Sequence, residues 1–232
     1  MACVELAMCG RFALIASYEK IKYQFHPENE MVVTPRYNIP PGTPVLCLVA
    51  PEPESIQCVE FHWGLIPSWA TDRRKIGSLI NARAETVFEK PAFHTAMKSK
   101  RCLMPMSGFF EWHQEGNVKQ PYYFQKSDRS LLAIAALWDT WYHEDEVIHS
   151  CCLLTTEANE LMEPVHHRMP VLLNEEEQIT WLDNSHCNKE QLIQLMKPYP
   201  HNDLMCYPVN PLVNKAAFDN PLVIEPLTKK NL

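Results

Sequence analysis

The stretches Leu131-Leu132-Ala133-Ile134-Ala135-Ala136-Leu137 and Ile148-His149-Ser150-Cys151-Cys152-Leu153-Leu154 decide the fold. Each is a short apolar run of strand length, too brief for a buried helix of ordinary size. Working outward, Pro44 to Ala50, Val59 to Trp63, Tyr122 to Phe124 and Pro170 to Leu173 also read as short strands. Helical signals are fewer. Ser17 to Phe25 is one candidate, and Glu157 to Met162, after a cap at Thr156, is a second. Asn174, with Glu177 three residues on, resembles a capping box opening a helix through Trp181. Asn188 is placed to cap Lys189 to Met196, which Pro198 would stop. Many strands with scattered helices predict an α+β fold, a single domain with an antiparallel β-barrel-like core and flanking helices.

The totals agree with one domain. A chain of 232 residues buries a sizeable core without covalent staples, and 46% hydrophobic with 21% charged residues is ordinary for a globular protein. Nineteen prolines against six glycines imply rigid connections and irregular edges. No stretch approaches the ~18 apolar residues of a membrane helix, so no membrane partner is expected. The start, Met1-Ala2-Cys3-Val4-Glu5-Leu6-Ala7, is too short and acidic for a secretory signal. Nine cysteines, with no Cys-x-x-Cys pair, read as free and mostly inert thiols of a reducing, cytoplasmic compartment, nucleoid-associated in a bacterium.

Net charge is −7, which argues against a protein coated in nucleic-acid contacts. The distribution is uneven. Residues 71 to 101 hold eight Lys/Arg against three acids, whereas residues 139 to 199 hold twelve acids against three bases. A local basic face for phosphates is one reading, and a solvated charged loop is the other.

Several short motifs carry residues suited to chemistry. In Met8-Cys9-Gly10-Arg11, a chain starting at Cys9 would present an amine and a thiol on adjacent carbons. The α-amine, with a pKa of about 8, attacks aldehydes to give an imine, and the thiol then closes a thiazolidine ring. An internal, buried cysteine is the alternative. In Asn81-Ala82-Arg83, Asn81 can donate and accept at a reacting oxygen and Arg83 can grip a phosphate. Two residues apart on a strand, they share a face. In Gly108-Phe109-Phe110-Glu111-Trp112, a carboxyl among aromatics is poorly solvated and its pKa rises toward neutrality, which suits proton transfer. Alternation puts Phe110 and Trp112 on one side and Glu111 on the other, so Glu111 facing water is the competing view. In Val165-His166-His167-Arg168-Met169-Pro170, adjacent histidines make a poor metal pair, no other His/Cys spacing suits zinc, and one imidazole can act as acid or base. Arg36 can meet phosphate, and Trp63 or Trp69 can stack on an unpaired base if they are not in the core.

Together, in order along the chain, Met8-Cys9-Gly10-Arg11, Arg36-Tyr37-Asn38, Trp63-Gly64, Asn81 to Thr86, Gly108 to Trp112 and His166 to Pro170 resemble the SRAP family of abasic-site processing proteins, also described as SOS-response-associated peptidases. The resemblance implies an SRAP domain over residues 9–221, between a leader at 1–8 and a C-terminal tail at 222–232. It implies a covalent thiazolidine link between Cys9 and the sugar aldehyde of abasic sites in single-stranded DNA. Asn81 would hold the linkage, Glu111 would shuttle protons and His166 would assist as acid or base. Arg11, Arg36 and Arg83 would bind phosphates, with Trp63 and Trp69 beside the bases. A lyase side activity, a self-processing peptidase activity, no metal, no cofactor and a monomer are the further expectations. The family's cysteine follows the initiator methionine, so here either translation starts at Met8 or the leader is cleaved after Met8. Two rival functions remain, a cysteine protease or amidohydrolase that turns over, and a module that binds single-stranded DNA without a bond.

Overall fold

A computed structural model describes residues 9–76, 79–116, 118–185, 188–200 and 202–227; the proposed leader, Ser78 and the last five residues of the expected tail lie outside them. The first half contains β1 (Phe12–Leu14), α1 (Tyr18–Phe25), β2 (Arg36–Ile39), β3 (Pro44–Glu52), β4 (Ser55–Trp63), β5 (Asn81–Arg83) and α2 (Pro91–Ser99). Then come β6 (Arg101–Met106), β7 (Gly108–Glu115), β8 (Val118–Lys126), β9 (Leu132–His143) and β10 (Glu146–Glu157). The last part contributes β11 (Arg168–Pro170), α3 (Glu175–Leu182), α4 (Lys189–Leu195) and β12 (Leu204–Pro208).

Five strands close into a barrel. β3 pairs antiparallel with β4 (Val45↔Phe61) and with β6 (Leu48↔Leu103), β6 with β9 (Met104↔Ile134), and β9 with β10 (Ala136↔Leu153). A parallel pairing of β10 with β4, Cys151↔Trp63, completes the ring. The apolar runs of β9 and β10 line it: Leu132, Ile134, Ala135, Leu137 and Cys151 to Leu154 are buried without break. α3 packs on β6 and α2 on β9, which explains why these strands do not alternate with polar residues. The cysteines among the described residues are free thiols, and Cys47 Sγ lies 3.8 Å from Cys151 Sγ inside the barrel.

A second sheet, ordered β12-β8-β7-β1-β2, lies against the barrel. The short strand β1 joins the two bodies. Phe12 pairs with Ile39 and with Phe109, while its ring meets Trp63 edge-on at 5.3 Å.

The capped helices form where expected. Ser17 Oγ accepts from Lys20 N to open α1, the Asn174/Glu177 capping box opens α3, and Asn188 caps α4. The expected helix at 157–162 is corrected. Glu157 ends β10, pairing with Arg168, and Asn159 starts a turn that closes at Met162 and Glu163. The chain there must turn back sharply to deliver β11, which leaves no room for a helix. α2 was not expected; it has Pro91 in its first turn and no side-chain cap. The expected tail begins in packed structure. Val223 is fully buried and Leu227 N bonds to Pro208 O, so packed structure continues through residue 227.

Candidate active site

The site begins where the β1–β7 ladder ends. The last rung is Phe110 N to Arg11 O at 2.9 Å, and beyond it the two chains place Cys9 against Glu111. The Cys9 backbone N donates to Glu111 Oε1 at 2.5 Å, and both residues are buried, 1% and 4% exposed. Alternation along β7 explains the orientation. Phe110 and Trp112 point into one apolar cluster with Tyr123, while Phe109 joins Cys9 in the main core. Glu111 therefore lies on the side that Cys9 covers, and the water-facing alternative is ruled out. Gly108 permits this close sheet packing, since a Cβ there would sit 2.4 Å from Phe124 O and from the Tyr123 ring.

Burial sets the electrostatics. Desolvation pushes the Glu111 carboxyl up to about 7, even though the Cys9 and Trp112 backbone N–H groups favour the carboxylate. Burial, and then the Glu111 charge, hold the Cys9 thiol well above its usual range. Cys9 itself sits at φ +40°, a left-handed conformation that costs a non-glycine residue roughly 1–3 kcal/mol.

A second group assembles along β10. β5 runs parallel to it, pairing Leu153↔Asn81 and Thr155↔Arg83, and β11 pairs Thr155↔Pro170 from the other side. With Ala82 buried between them, Asn81 and Arg83 share the opposite face as alternation requires, Asn81 half-buried and Arg83 exposed. Arg168 clamps the two edges together: its guanidinium forks onto Glu85 at 2.5 and 2.9 Å and reaches Thr155 O at 2.8 Å. His166 stands beside this clamp, stacked on His167 at 4.5 Å. Its Nδ1 accepts from Arg168 N at 3.1 Å. A longer approach to Arg168 O, 3.3 Å, would need the proton on Nδ1; the shorter contact with an obligatory donor leaves it on Nε2. Burial lowers the His166 pKa, keeping the ring neutral at pH 7.

Trp63 links the two groups, and its expected role is corrected. It is fully buried, its ring meets Phe12 and its indole donates to Ile80 O at 3.1 Å, so it packs the core and cannot stack on a base. Trp69, by contrast, is 56% exposed. Arg36 spends its guanidinium on Pro44 O, Thr43 Oγ1 and Asp219, bracing β2. Arg11 Nη1 donates to Asn38 Oδ1 at 2.9 Å and Val213 O at 2.8 Å. The structural part played by Asn38, 1% exposed, was missed; a polar residue entering a buried strand beside Ile39 was its signal.

A closed barrel flanked by a second sheet, with a buried thiol and a near-neutral carboxyl meeting at a cysteine backbone nitrogen, defines a single-domain protein built around that nitrogen. The chain belongs to the SRAP family: the family model described as SOS response associated peptidase (SRAP) matches residues 8–216. It is 36% identical over 225 residues to the abasic site processing protein YoqW of Bacillus subtilis, covering 94% of this chain and 99% of that one. It is also 36% identical over 214 residues to YoaM of the same organism, named likewise, covering 89% and 93%. A crystal structure of a protein from Bacteroides thetaiotaomicron superposes with a TM-score of 0.86 at 27% identity, covering 95% of this chain and all of that one.

Proposed function

We propose that this chain processes abasic sites in single-stranded DNA by covalent capture, with Cys9 as the amino-terminal residue of the working form. The observation that carries this is the 2.5 Å contact between the Cys9 nitrogen and a buried carboxyl whose pKa is about 7. With a residue before it, that nitrogen is an amide and is unreactive. Freed, it becomes an amine whose proton Glu111 is positioned to share.

The ring-opened sugar of an abasic site exposes an aldehyde at C1′. The Cys9 amine adds to it, and loss of one water gives the imine. The Cys9 sulfur then adds to the imine carbon while its proton passes to the nitrogen, giving a thiazolidine with no redox change. Held out of water against that nitrogen, the Glu111 carboxyl is placed to give and take protons in these steps. His166, neutral with a proton on Nε2, suits donation to the sugar oxygen as the ring opens. Asn81 would position that oxygen. Arg83 and Arg11 would meet phosphates and Trp69 an unpaired base, whereas Arg36 serves the fold. Loss of the 3′ phosphate by β-elimination from the imine accounts for a lyase side activity. Removal of residues 1–8 by the same site would be the self-processing activity, and translation from Met8 would make it unnecessary.

The protease reading is weaker on physical grounds. A turnover cysteine nucleophile needs a lowered thiol pKa, and burial with Glu111 raises that of Cys9. The test joins intact mass measurement to denaturing gels with an abasic single strand. Chain beginning at Cys9 should give a shifted band that survives denaturation. Cys9→Ala and Cys9→Ser should give none that survives without reduction; each keeps the α-amine, so borohydride should trap a band from both. A stable shift from Cys9→Ala sinks the proposed linkage.

A further inference from the structure

The segment from Pro211 to Asp219 lies across three neighbouring strands at the end where the site sits. Val213 O accepts from Arg11 Nη1, two residues after Cys9, at 2.8 Å. The next residue, Asn214, accepts through Oδ1 from the Trp112 indole, one residue after Glu111, at 2.7 Å. The buried Asn38 carboxamide gathers the segment in: Nδ2 faces the carbonyls of Val213, Lys215 and Phe218 at 3.1, 3.1 and 3.0 Å, and Oδ1 takes Arg11. Asp219 closes the far end on the Tyr37 and Asn38 backbone N–H groups at 2.5 and 3.0 Å. Adjacent residues thus hold the two chains that carry Cys9 and Glu111 just beyond the last β1–β7 rung; β8 fixes Glu111 and Trp112 from the other side, through Glu111↔Tyr122 and Trp112↔Pro121, so the strap acts on the spacing of the Cys9 chain against a fixed β7.

We infer that Asn214, with Asn38 behind it, is a positioning residue: this strap sets the separation of Cys9 and Glu111 without touching the reacting atoms. The inference rests on the covalent-capture reading for its consequence, but not for its geometry. A misplacement of about 1 Å at a reacting pair costs on the order of a hundredfold in rate, so a partial loosening should be visible as tenfold or so.

Asn214 is exposed, so its variants should fold. With chain beginning at Cys9, Asn214→Ala should lower the saturating rate of adduct formation by roughly tenfold, leaving the half-saturating DNA concentration unchanged. Asn214→Asp, which keeps the acceptor oxygen, should restore the rate. A DNA-independent arm follows the carboxyl titration of Glu111 by carbon NMR in the full chain. Glu111 faces the Cys9 thiol and two backbone N–H groups, and burial dominates its pKa. Loosening in Asn214→Ala should admit water and move the midpoint from about 7 toward the ordinary carboxylate range. An unmoved midpoint overturns the inference. A raised half-saturation with an unchanged saturating rate also overturns it, because Asn214 would then act on DNA. If the midpoint falls but the parent chain forms no adduct, the strap stands and covalent capture fails.

Discussion

Glu111 is a carboxyl that the fold keeps near neutrality at a measurable cost. Its folded pKa of about 7 lies above the usual carboxylate value, so between about 4.5 and 7 the folded chain holds a proton that the unfolded chain has released. The stabilising protonated state is fully present below that window and is lost as pH rises through it. Glu111→Gln, which keeps an oxygen for the Cys9 N–H, should therefore stabilise the full chain at pH 8 by roughly 3 kcal/mol and do nothing at pH 4. Thermal melts of both proteins at the two pH values check this; equal differences at pH 4 and pH 8 would contradict the burial argument. In chain beginning at Cys9 the gain should shrink, because an ammonium beside the carboxylate offsets desolvation, and adduct formation should slow. The poor solvation of Glu111 was legible from its aromatic neighbours, but its covering by Cys9, 102 positions away in sequence, was not. Trp63 and Trp69 illustrate the same limit. Six residues apart in one segment, one seals the barrel against β1 and the other lies exposed on a loop. Only the closure of β10 on β4 distinguishes them.

At the scale of elements, local signals succeeded where local chemistry decides. α1, α3 and α4 each have a side-chain cap that the sequence displays. α2 lacks one and starts on Pro91, so only its packing under β9 declares it. The turn after β10 reads as helical but is shaped by the need to return β11 to the same strand. The joint that matters most for the site is the Glu85–Arg168 fork, which ties the end of β5 to β11 and so sets Asn81 and Arg83 relative to His166. Arg168 is 8% exposed, and loss of its partner leaves a buried charge, although the Glu85 side chain is 44% exposed and solvent softens the penalty. Glu85→Gln should thus cost about 1–2 kcal/mol in urea unfolding and slow adduct formation without changing the pH at which Glu111 titrates. Full stability and an unchanged rate would show that the backbone ladder alone holds this edge.

The whole molecule carries a net charge of −7, and folding reduces the local basic excess between residues 71 and 101 by bringing two acids from elsewhere in the chain onto it. Lys100 pairs with Asp139 at 2.5 Å, Arg73 with Glu146 at 3.2 Å and Arg74 with Asp72 at 3.0 Å. Arg101 is fully buried, with its guanidinium on carbonyls of Met97, Lys98 and Trp181. The acids that neutralise Lys100 and Arg73 come from β9 and β10, far along the chain, so no local count of charges could foresee it. Arg83, Lys90 and Lys98 are on the surface, and Arg11, two residues after Cys9, is partly exposed. Three or four phosphate contacts at roughly −0.7 each for a single strand give a slope of log K against log salt between about −2 and −3. That is too shallow for a protein whose hold on DNA is electrostatic, and it is what covalent capture permits, since a bond supplies the lifetime that ion pairs do not. The measurement is the non-covalent affinity of Cys9→Ala for an undamaged single strand across a salt series. A slope steeper than about −5 would mean seven or more phosphates engaged, and the protein would then be better understood as a binding module that has no need of the Cys9 nitrogen.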